Sequence, residues 1–115
     1  MITRMLAVYR SDGELCGFIR PHTEGWEALT VFGVVIEFLS SQSEAEVFVR
    51  DRALAALAER WLLDRPGHDE QIVCIQEGSP DGVTVALDFY SMPGVPTLRI
   101  GRDQIDSGEV ILRLP

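Results

Sequence analysis

The chain has 115 residues, enough for one domain of ordinary size, and 46% of them are apolar, which excludes disorder as a description of the whole. Acidic residues outnumber basic ones 18 to 10, and the formal net charge of −8 argues against nucleic-acid binding, where clustered cations must neutralise phosphates. Every basic residue is arginine, a bias that GC-rich coding explains; with no lysine or asparagine, Schiff-base lysines, P-loop lysines and N-glycosylation are excluded.

Along the chain, MLAVY and LCGFIR are short β-prone runs separated by RSDGE. Asp-Gly supplies the left-handed conformations of a hairpin turn, so residues 5–10 and 15–20 are expected to pair. PHTEG breaks the pattern, and Trp26 to Leu39 then reads as one long strand. At period 2, Phe32, Val34, Ile36 and Phe38 form its apolar, core-facing side. Leu29, Val31, Gly33, Val35 and Glu37 form a mixed side.

Ser43 followed by Glu46 fits a capping box at a helix start. Leu54, Leu57, Ala58, Trp61 and Leu62 recur at the spacing of an amphipathic helix, and Pro66-Gly67 ends it, which predicts a helix over about 51–65. Phe48 and Val49 fall on the other side of that stripe. Either the helix begins at Ser43 and they meet another surface, or EVFVR is a strand and Asp51 is the N-cap; the long helix is favoured. QIVCIQE and VTVALDFYSM flank GSPDG, a strong hairpin signal. PTLRI and VILRL are two further strands, joined by the polar GRDQIDSGE.

The resulting expectation is a single α+β domain over 1–115 in β-β-β-α-β-β-β order. It has a mainly antiparallel sheet of about six strands, with one long helix packed on one face. The other face would then gather Glu37, Asp88, Tyr90 and Arg113. It is either solvated, with an Arg–carboxylate pair contributing about 0–1 kcal/mol, or a docking surface for a partner or a second copy.

Specific chemistry finds little support. Glu37 and Asp88 as an acid–base pair would need a closed pocket and shifted pKa values. His22 and His68 lie in acidic loops, PHTE and GHDE, without metal-ligand spacing, and no metal or cofactor is expected. Cys16 and Cys74 read as reduced core thiols. Trp26, between a polar loop and a strand, either caps the core or anchors an interface, and the stiff SMPGVPT loop is a second candidate.

The leading expectation is a non-catalytic protein-binding module, of the inhibitor or immunity type, with a possibly basic partner protein. Its candidate surface is Trp26, Glu37, Asp88, Tyr90 and Arg113. The alternatives are a small enzyme or small-molecule-binding protein using the uncovered face, and a structural homodimer. With no secretory signal and no apolar run long enough to span a bilayer, a cytoplasmic protein independent of membranes is expected.

Overall fold

A computed structural model describes residues 4–87 and 94–115. The chain divides into two compact units, Met1–Ala56 and Leu57–Pro115. Antiparallel sheets with segregated helices give the expected α+β class. The expected single sheet of about six strands is replaced by a four-stranded and a five-stranded sheet.

In the first unit, β1 (Leu6–Tyr9), β2 (Leu15–His22), β3 (Gly25–Leu29) and β4 (Val35–Leu39) form a meander in that spatial order. Its first hairpin is the expected one. Arg10 N–H donates to Glu14 O at 2.9 Å and Gly13 N–H to Arg10 O at 2.9 Å, with Gly13 at φ 89°, where a glycine carries no steric penalty.

The run from Trp26 to Leu39 is not one strand. It folds back at Thr30–Val34: Thr30 N–H donates to Val34 O at 2.9 Å, Val34 N–H donates to Thr30 Oγ1 at 3.2 Å, and Gly33 takes φ 85°. Turns are usually betrayed by polar residues, but Val31 and Phe32 of this one are buried, so its hydrophobicity concealed it. The reversal changes the face that each later residue occupies. Phe38 pairs with Glu27 and Glu37 with Ala28, the opposite of the assignment that an unbroken strand gives.

Helical backbone follows as α1 (Gln42–Phe48), a π-helical stretch (Val49–Ala53) and α2 (Leu54–Ala56). The cap is Ser41, whose hydroxyl accepts Glu44 N–H at 3.2 Å, in place of the expected Ser43–Glu46 box. Ala45, Val49 and Ala53 recur every four residues and pack on Val8, Cys16, Ile19 and Ala28 of the sheet. The wider π turns keep that four-residue row on one side of the helix. Contact is close: a Cβ on Gly17 would collide with Leu29 O and lie 3.1 Å from Val49 Cγ1.

The second unit corrects the helix prediction. β5 (Arg60–Asp64) stands where the helix was expected to run on to residue 65. Trp61 and Leu63 are fully buried and alternate with exposed Arg60 and Asp64, so a short apolar run satisfied both periodicities. Pairing on both sides, with β6 (Gln71–Ser79) and β9 (Ile111–Arg113), settles it as a strand. β6 and β7 (Gly82–Ala86) form the expected hairpin around Pro80 and Asp81, with Ser79 opposite Gly82. β8 (Thr97–Gly101) follows. The polar connection after it contains α3 (Arg102–Asp106), a short helix the sequence reading missed. Gln104 Oε1 accepts Gly101 N–H at 2.9 Å, and Arg102 Nε donates to Asp106 Oδ1 at 2.9 Å. The spatial order is β8-β7-β6-β5-β9. Among the described residues, no helix is long and apolar enough to cross a membrane.

Candidate functional site

β4 closes one side of the first sheet. It is bonded to β3 and has no strand partner on its outer side among the described residues. An open strand edge presents unpaired N–H and C=O groups to any extended chain that approaches. On this strand Phe38 is 60% exposed, the largest exposure among the exposed large apolar side chains of the described residues. Its ring meets His22 edge-on, with centroids 5.4 Å apart and planes at 66°.

Two recesses adjoin the strand, and Leu39 lines both. One, of about 340 Å³, is bounded by His22, Glu24, Trp26 and Phe38. The other, a broader hollow of about 480 Å³, is bounded by Glu44, Val47, Phe48, Asp51 and Arg52. Val47 is 52% exposed, and the Arg52 guanidinium carbon sits 6.0 Å from the centre of the Phe48 ring. The surface is therefore apolar and aromatic, rimmed by the carboxylates of Glu24, Glu44 and Asp51.

Glu37 has a definite place here. Its Oε1 accepts the backbone N–H of Phe38 at 3.0 Å, so the side chain satisfies a main-chain donor on the open strand. A charged side chain folded over an edge is one way a sheet discourages indiscriminate pairing. The residue was expected on the uncovered face. Register instead aligns it with Ala28 and Ile19, whose side the helix covers, and it remains exposed because β4 is the edge.

The face opposite the helix does hold an Arg–carboxylate pair, but its members are Arg20 and Glu27. Arg20 Nε donates to Glu27 Oε1 at 2.7 Å. Arg113, expected on the same face as Glu37, belongs to the other sheet, where its guanidinium pairs with Glu70 at 2.7 Å. Asp88, Tyr90 and residues 91–93 of the SMPGVPT loop lie outside the described residues. Of the five selected residues, Trp26 and Glu37 thus fall beside β4.

Phe38 and Val47 were not singled out. Period 2 counted through Thr30–Val34 places Phe38 in the core; the turn there, with Gly33 at φ 85°, breaks the count and leaves Phe38 exposed. Cys16 is fully buried and its thiol is pushed up by that burial, which suits packing rather than nucleophilic attack. Among the described residues, no group of three or more His, Cys, Asp or Glu side chains could hold a metal ion. Comparisons with family models, with curated proteins and with solved structures give no significant match.

Proposed function

We propose that this chain is a non-catalytic protein-binding module that docks its partner along the β4 edge. The observation that carries the proposal is Phe38, 60% exposed on a strand whose outer side is unpaired among the described residues. An extended segment of a partner adds to such an edge through main-chain hydrogen bonds and draws specificity from side-chain recesses beside it. The two recesses that share Leu39 would receive apolar side chains of that segment. The carboxylate rim and the net charge of −8 favour a segment carrying arginine or lysine, whose approach they steer.

Cys16 and Cys74 carry reduced thiols, which suits action in a reducing compartment such as the cytoplasm. Native mass spectrometry of the tagged protein purified from its own host tests the reading. A stoichiometric complex with a second protein is expected. A homodimer whose thermal stability rises with concentration would favour self-association instead. A bound small molecule would move the function to the recess beside Trp26.

A further inference from the structure

We propose that the second unit binds a small oxyanion, a carboxylate or a phosphate group, in a cavity formed by Arg65, His68 and Arg99. This site is independent of the β4 surface. The cavity measures about 270 Å³, near the lower end of ligand pockets, which start at roughly 300 Å³, so it admits a small ion or one acidic group of a larger molecule. Its composition is unusual for so acidic a chain. Three of its lining residues carry cationic or potentially cationic side chains, against one carboxylate, Glu109.

Topology explains the convergence. β8 and β9 are opposite edges of the five-stranded sheet, yet residues of β8 and residues just before β9 line one cavity. The segment through α3 makes that link. Arg65 and His68 come from the turn after β5, closed by His68 N–H donating to Arg65 O at 3.2 Å. Arg99 projects from β8, with Thr84 opposite on β7.

Among the described residues, no carboxylate pairs with either arginine. Arg65 Nε is buried without a hydrogen-bond partner among the described residues, and one terminal nitrogen reaches Gln71 Oε1 only at 3.4 Å. Arg99 makes a similarly long contact, 3.4 Å to Thr84 Oγ1. Neither guanidinium is ion-paired among the described residues, although other arginines of the chain have carboxylates at 2.7–2.9 Å. Guanidinium groups offer paired N–H donors that match the geometry of carboxylate and phosphate oxygens. Apolar Leu98, Ile100 and Val110 also line the cavity, and lower local polarity strengthens the attraction at the part-buried Arg65.

Calorimetric titration of the full chain at low ionic strength, with inorganic phosphate and separately with succinate, tests this. Saturable binding of one equivalent of at least one anion is expected in the millimolar range. Arg99→Gln, at an exposed strand position that tolerates polar residues, should weaken it by about tenfold, as should Arg65→Gln. Glu109→Gln should tighten it. Binding of phosphate alone assigns a phosphate-bearing ligand, and binding of succinate alone a carboxylic acid. If neither anion saturates, or if Arg99→Gln binds as well as the parent, the site is refuted. The Arg99 variant keeps the test decisive even if Arg65→Gln misfolds.

Discussion

Arg20 and Glu27 stand directly opposite each other in the β2–β3 register and are joined by a 2.7 Å hydrogen-bonded ion pair. The Glu27 side chain is only 12% exposed and that of Arg20 30%, so the pair is neither a solvated surface bridge nor fully buried. Removing one partner leaves the other partly desolvated without its countercharge. Glu27→Ala should therefore lower the unfolding free energy by about 1–3 kcal/mol, and adding Arg20→Ala should cost less than a second full increment. Urea denaturation measures both. A loss below about 0.5 kcal/mol would place the pair among ordinary surface bridges.

Gly17 is a position where helix and sheet leave no room. Gly17→Ala places a Cβ against Leu29 O and Val49 Cγ1, at a residue with φ 158°, whereas at Gly13 the space is open and the positive φ alone is costly. The expected destabilisation is about 2 kcal/mol or more at Gly17 and about 1 kcal/mol at Gly13. Thermal unfolding of the two variants decides it; equal effects would contradict the close packing around Gly17.

The first hairpin turn carries a pH signature. Asp12 is held below the usual aspartate range, first by the Glu14 backbone N–H that its carboxylate accepts and then by the Arg10 guanidinium. A carboxyl whose folded pKa is depressed stabilises the fold above its unfolded pKa, near 3.9, and that contribution is lost as pH falls through the lower folded value. NMR titration should show the Asp12 carboxyl ionising at lower pH than in an unstructured peptide. Arg10→Gln should move it back upward. An Asp12 titration indistinguishable from the peptide would show that the turn is not formed as described.

Legibility followed hydrogen-bonding distance along the chain. The hairpins at RSDGE and GSPDG were readable because their turns are polar, short and local. The hairpin hidden between Trp26 and Leu39 was not, because Val31 and Phe32 make an apolar turn that resembles strand interior. Trp61 and Leu63 fitted helix and strand periodicities alike, and only the partners β6 and β9, distant in sequence, decide between them. Counting through the reversal sends Phe38 inward and sets Glu37 on the uncovered face, whereas the register leaves Phe38 exposed on β4 and aligns Glu37 with Ala28.

The most direct test of the central claim is the affinity of the purified protein for the partner recovered with it, compared among Phe38→Ser, Val47→Ser and the parent, with Ile111→Ser as a control. All three side chains are exposed, so stability should change little. Docking along β4 predicts that Phe38→Ser weakens binding by about tenfold or more, that Val47→Ser weakens it less, and that Ile111→Ser, in the other sheet, leaves it unchanged. Parent-like affinity in Phe38→Ser would contradict the β4 edge as the docking surface.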